Sequence, residues 1–269
     1  MVYKVKEGIL KERISRLSLF FIGLMLALAA SFATFSTASA LSVSGCSFDD
    51  STPGIWSLEG DCSSSSQINV PADTTVEGNG YTISPIFSMT DSSNNSVIGV
   101  IEADNVTINN LTIDGTNGTN LHGINAFVAE NVSLNDVTLL NNDRTGLVVN
   151  GSTVTVDNIT TGGNGWHGIN VDLGSGVDGS ATLTVNGFSN HTDLAHIYVD
   201  DSTKDVSVID TNSQYVVTHP GIHPNDELYT LKTLDNKDDC KKGGYETFGF
   251  RNQGQCIRFV NTGQDSRAL

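Results

Sequence analysis

The feature that most constrains this chain is an internal repeat. Six segments share one pattern: Val76-Glu-Gly-Asn-Gly-Tyr81-Thr-Ile83, Val106-Thr-Ile-Asn-Asn-Leu111-Thr-Ile113, Val132-Ser-Leu-Asn-Asp-Val137-Thr-Leu139, Val154-Thr-Val-Asp-Asn-Ile159-Thr-Thr161, Leu183-Thr-Val-Asn-Gly-Phe188-Ser-Asn190 and a fading Val206-Ser-Val-Ile-Asp210. Their starts lie 30, 26, 22, 29 and 23 residues apart, a variable period that suits the coils of a solenoid. Apolar residues hold the first and third places, then the sixth and often the eighth. Alternation of period two buries one strand face, and the five-residue step predicts a bend followed by a second strand. The bend residues are Asn109-Asn110, Asn135-Asp136, Asp157-Asn158 and Asn186-Gly187, types that tolerate left-handed backbone angles. Stacked from coil to coil, the asparagines could form a hydrogen-bonded ladder.

A second recurring element follows each strand pair: Leu121 to Phe127, Arg144 to Asn150, Trp166 to Asp172 and Leu194 to Asp200, with Val97 to Ile101 supplying it one coil earlier. Three short strands per turn, each stacked on its counterpart, make a parallel β-helix. Composition agrees, because 27 glycines and only 16% charged residues favour strands and turns over helices. These repeats resemble the right-handed parallel β-helix repeat family with the pectin-lyase-like fold, across about residues 70 to 215. The run Gly78-Asn-Gly-Tyr-Thr-Ile83 is similar to the opening coil of such proteins. The resemblance implies an all-β, right-handed solenoid of about six coils. It does not name a function, since lyases, hydrolases, adhesins and passive binders share the fold.

The ends differ from the body. Residues 1–40 carry a basic stretch (Lys4, Lys6, Lys11, Arg13, Arg16), the apolar run Leu17 to Ala30 and a small-residue tail ending Ala38-Ser39-Ala40, the pattern of a cleavable signal peptide. The rival reading is an uncleaved anchor, because Leu17 to Phe35 is long enough to span a bilayer. Cleavage would give a secreted or extracellular product, with no further membrane segment and an option of cell-surface association. The four cysteines permit three pairings. The simplest joins Cys46 to Cys62 within an N-terminal cap, 41–69, and Cys240 to Cys256 within a small module, 237–269. Between them, residues 216–236 lack periodicity and read as a linker or an irregular last coil. The module resembles a short two-cysteine C-terminal segment of secreted bacterial proteins.

Residues 41–236 contain 24 acids and only three basic residues, Arg144, Lys204 and Lys232. Such a surface repels phosphate backbones, which excludes nucleic acid as a partner. It equally disfavours anionic polymers.

In a parallel β-helix, equivalent positions of successive coils sit about 4.8 Å apart, so columns of the repeat become spatial neighbours. One column reads Phe127, Asn150, Asp172, Asp200. Adjacent carboxylates at Asp172 and Asp200 could bind calcium, or shift each other's pKa values as a glycosidase pair does. A second column holds His122 and His167 two coils apart, too far to share a metal directly. Arg144 is the one repeat residue placed to act as a lyase base, and Asp172, Asp200, Arg144 and His167 are the catalytic candidates. Trp166, His167, Asn125, Asn170 and Tyr198 form a strip of aromatic and hydrogen-bonding groups suited to neutral sugars. The reading that needs least is non-catalytic recognition of a polysaccharide or cell-surface glycan, with no required cofactor beyond an option on calcium. A polysaccharide lyase or glycoside hydrolase, and a structural envelope or adhesin component, are the alternatives.

Overall fold

The computed structural model describes residues 40–90, 95–174, 177–186, 190–193, 196–232, 234, 236–248, 250–262 and 264. The expected signal segment, through residue 39, lies outside them. The described chain is all-β apart from a 3-10 turn at Gly115–Asn117 and the α-helices Gly244–Thr247 and Gln253–Thr262. Its body is a β-solenoid of about five turns. The repeats suggest about six coils, and the structure has about five turns.

The first face stacks Ile55–Leu58, Thr75–Glu77, Thr107–Asp114, Val132–Leu140, Thr153–Asp157, Ala181–Asn186 and Val206–Asp210, each parallel to the next. The anticipated second strand is present, but in two coils it is continuous with the first: Thr107–Asp114 and Val132–Leu140 run straight through the bend. A single left-handed residue turns the chain there, Asn110 at φ 46° and Asp136 at φ 53°, with Asn158 at φ 55° one coil on. One such residue redirects the strand while ladder pairing resumes on its far side, as between Val137 and Leu111.

The third element builds a separate sheet, Ile68–Asn69, Ser96–Ile101, His122–Phe127, Leu147–Asn150, Ile169–Asp172 and Ile197–Val199, all parallel. In it Ile98, Ile124, Leu147, Ile169 and Ile197 stack inward as one fully buried column. Each such side chain contributes about 1.5–3 kcal/mol of hydrophobic burial. Polar ladders run alongside. Asn135 donates to Asn109 and Asn109 to Glu77, both at 2.8 Å. At a buried corner Asn142 donates to Asn164 (2.8 Å), whose backbone N–H donates to Asp193 (2.8 Å).

Both ends of the stack are closed by antiparallel strands, which protect edges that would otherwise pair with another chain. Ala40–Val43 and Cys46–Asp49 form a hairpin over the first coil, pinned by the Cys46–Cys62 disulfide. At the other end, part of the aperiodic 216–236 stretch belongs to a hairpin of Tyr215–Pro220 and Glu227–Leu231, which joins the sheet against Ile197–Val199. The C-terminal residues have a core of their own, with the Cys240–Cys256 disulfide and Phe250 packed by Tyr245, Phe248 and Phe259. Among the described residues no helix is long and apolar enough to cross a membrane.

Candidate functional site

The second sheet presents its outward rows to a groove of about 1090 Å³. Pleating dictates which residues reach it. Ile169 and Val171 point inward, so Asn170 and Asp172 point out, and the same alternation brings out Tyr198 one coil later. Most of the candidates read from the sequence meet here: Arg144, Trp166, His167, Asn170, Asp172, Tyr198 and Asp200 all line the groove. Asn125 does not. It stands in the row of Val148, Asn170 and Tyr198, but it is fully buried and outside the lining.

One end of the groove is aromatic. Trp166 is half-exposed, at 54%. The Arg144 guanidinium lies 4.9 Å from its ring centroid, and the His122 ring meets it edge-on at 5.5 Å and 80°. Arg144 and Trp166 are column neighbours in adjacent coils, so the solenoid stacks one on the other. Arg144 is buried, and its guanidinium braces an indole. Burial, aided by the Arg144 charge, holds His122 at about 4, so the ring is neutral near pH 7. The Thr145 backbone N–H donates to its Nδ1 (3.2 Å), which leaves the ring proton on Nε2.

The middle is a stack of His167 on Tyr198, 4.4 Å between centroids and 8° from parallel. Burial lowers the His167 pKa, against the opposing pull of Asp193. The Tyr198 hydroxyl donates to Asp226 at 2.7 Å, and burial together with that carboxylate keeps it protonated. Asp226 is a buried hub. Burial would raise its pKa, but the Tyr198 hydroxyl and the backbone N–H groups of His223 and Asp201 outweigh burial and hold it low. The hub ties Tyr198 to the loop that carries Ile222, 79% exposed at the groove rim.

The other end is acidic. Asn150 and Asp172 are register partners, and the Asp200 backbone N–H donates to Val171 O at 3.0 Å, which sets Asp200 in the next coil. Asn170 donates to Asp172 Oδ2 at 2.5 Å. Burial raises the Asp172 pKa, opposed by Asn170 and reinforced by the Asp200 charge. Asp172 Oδ1 and Asn150 Oδ1 are buried and have no hydrogen-bond partner among the described residues. Calcium takes six to eight oxygen ligands, which can include amide, backbone and water oxygens; Asp172, Asp200 and the Asn150 amide stand together here, and among the described residues no group of three or more His, Cys, Asp or Glu side chains gathers. The neighbours of Arg144 are committed elsewhere: Asp143 accepts from the Asn120 backbone N–H (2.7 Å), and Asn142 belongs to the corner ladder.

Sequence reasoning named the columns of His122, Thr145 and Asn150 but did not select those residues. Ile222 and Asp226 come from a stretch without periodicity, where no column exists to read.

No known protein family matches the chain, and no curated protein does. Among solved structures it has a partial likeness to a protein described as a "putative glycosyl hydrolase" from Parabacteroides merdae. Identity is 13% and the TM-score 0.35, over 58% of this chain and 81% of that one. So distant a likeness carries no argument about chemistry.

Proposed function

We propose that this protein is an exported or cell-surface β-solenoid that binds carbohydrate without transforming it. The observation that carries the reading is the braced, half-exposed Trp166 ring at one end of a groove whose floor offers Asn170, Asp172 and Asp200. An aromatic face takes the apolar side of a sugar ring, while amides and carboxylates take its hydroxyls. The disulfides at both ends fit an oxidising compartment. The acidic body favours a neutral or cationic glycan over a uronate polymer. Kinship with pectin-lyase-like β-helices, and of the tail with two-cysteine segments of secreted bacterial proteins, is part of this proposal.

One observation favours a second reading, glycoside hydrolysis. Asp172, with its raised pKa beside Asp200, has the character of a general acid next to a second carboxyl group. The lyase variant is weaker, because Arg144 is buried against Trp166.

The test is retention of the protein by immobilised neutral and amine-bearing polysaccharides, run beside reducing-end release and the ultraviolet absorbance of unsaturated products. Retention that Trp166→Ala removes, with no product formed, supports recognition. Product release abolished by Asp172→Ala in a folded protein would replace recognition with hydrolysis. Neither retention nor product across the panel would refute both.

A further inference from the structure

We propose that the groove selects an oligosaccharide bearing a protonated amine, seated at its acidic end against Asp172 and Asp200. This rests on the carbohydrate-binding reading and goes further by naming the class of sugar.

The acidic end is short of donors. The Asp172 carboxylate accepts from Asn170 at Oδ2 and is also favoured by the Gly174 backbone N–H, while its Oδ1 is buried with no close hydrogen bond among the described residues. Asn150 lines the same groove one coil below at 5% exposure, and its Oδ1 lacks a donor in the same sense. Asp200 adds a second carboxylate one coil above. A buried acceptor left unmade is costly, more so when it is charged.

Positive charge in the groove would relieve that cost, and the cations that line it are poorly placed to provide it. Arg144 is spent at the opposite end on Trp166. Lys204 lies 3.8 Å from the Asp201 carboxylate, and its pull on Asp172 is weaker than burial or Asp200.

Three ligand classes could answer the deficit, and two fit less well. A uronate brings more negative charge to a body with 24 acids and three basic residues. A bare metal ion would find two carboxylates and an amide oxygen here, but no third His, Cys, Asp or Glu side chain among the described residues. An ammonium group supplies three N–H donors and a positive charge at one point. Carried on a sugar, it also brings ring faces for Trp166. Trp166 stands six positions before Asp172, with a bend before the Ile169–Asp172 strand, so their backbones are at most about 20 Å apart, the order of a few sugar units.

The experiment is calorimetric titration of the protein with glucosamine oligomers, their N-acetylated counterparts and glucose oligomers of equal length. It is run at mildly acidic pH and low salt, with Asp172→Asn and Asp200→Asn alongside. The amine form should bind at least about tenfold tighter than either neutral form, the scale of one charged hydrogen bond. That ratio should shrink with added salt and collapse toward one in each variant. Asp200→Asn, at a partly exposed position, carries the comparison if Asp172→Asn fails to fold. Equal affinity for the three oligomers overturns the amine selection and leaves carbohydrate recognition standing. No binding by any of them overturns both. Thermal stabilisation by calcium that depends on Asp172, without amine preference, assigns the acidic end to a metal and overturns the proposal.

Discussion

Replacing Trp166 by alanine separates a binding platform from a packing corner, because the structure sets different magnitudes for the two roles. The ring is 54% exposed, and its described aromatic and cationic contacts are the Arg144 guanidinium at 4.9 Å and the His122 edge at 5.5 Å. A cation over a ring at a partly exposed site is worth about 0.5–1 kcal/mol, and an edge-on aromatic pair about 0.5–1.5 kcal/mol. Folding should therefore lose about 1–2.5 kcal/mol, which lowers the thermal midpoint by a few degrees in a domain of this size. A central aromatic anchor in a binding site carries about 2 kcal/mol or more, roughly a 30-fold loss of affinity. Calorimetry against the tightest-binding oligosaccharide, beside scanning calorimetry of the free protein, measures both. Arg144→Lys is the companion variant: it keeps the charge but loses the planar stacking surface, so it should lower affinity less than Trp166→Ala. Affinity within twofold of wild type, together with a midpoint fall larger than about 3 kcal/mol explains, would refute the platform and leave Trp166 as a corner residue.

Three other outcomes are expected. Asp172 is held above its ordinary value of 3.8 by burial and by Asp200, against Asn170. The native state therefore holds that proton more tightly than the unfolded chain, and the associated stability is full below about pH 4 and lost as pH rises through the elevated value. Thermal midpoints measured against pH should show Asp172→Asn gaining on wild type across that rise, and parallel curves would count against the assignment. Gly174, at φ 75°, lines the groove with its Cβ direction 2.1 Å from Asn150 Oδ1. Gly174→Ala should cost about 1–3 kcal/mol and weaken sugar binding, because the Asn150 amide must move; a denaturant titration checks the first and calorimetry the second. Opening the Cys240–Cys256 bridge, which spans 16 residues, removes about 3 kcal/mol of support from the small C-terminal core. Limited proteolysis under mild reduction should cut that region first and spare the solenoid; a first cut within residues 70–215 would contradict it.

The columns of the solenoid were readable because a repeat of fixed strand pattern turns sequence alignment into spatial stacking. Asp172 beside Asn150 and Asp200 followed from that alone: Asn150 and Asp172 are register partners, and the Asp200 backbone N–H donates to Val171 in the preceding coil. The left-handed bends at Asn110, Asp136 and Asn158 were equally legible, since few residue types accept those angles. Their continuity within one strand was not, because periodicity marks where side chains point and not whether the ladder is interrupted. Asn125 shows another limit: an outward row does not imply exposure, and nothing in its own coil announces that it is covered.

The site's remaining parts come from outside the repeat, and that explains both their invisibility and their use. A solenoid face by itself is nearly flat, built from identical steps, and a flat face gives a ligand little enclosure. Enclosure requires a segment that leaves the repeat and returns. Here the hairpin of Tyr215–Pro220 and Glu227–Leu231 does so, with Asp226 holding both Tyr198 and the backbone of His223 at 2.7 Å and Ile222 standing at the rim. Breaking the period forfeits the column logic that makes the rest predictable. It also places one apolar side chain where no inward row would put it. If Asp226→Asn loosens this tie, affinity should fall together with a loss of a few degrees in the thermal midpoint, since the buried carboxylate accepts three hydrogen bonds where the wall joins the last coil. A midpoint collapse without any binding change would instead make the hairpin a terminal cap alone.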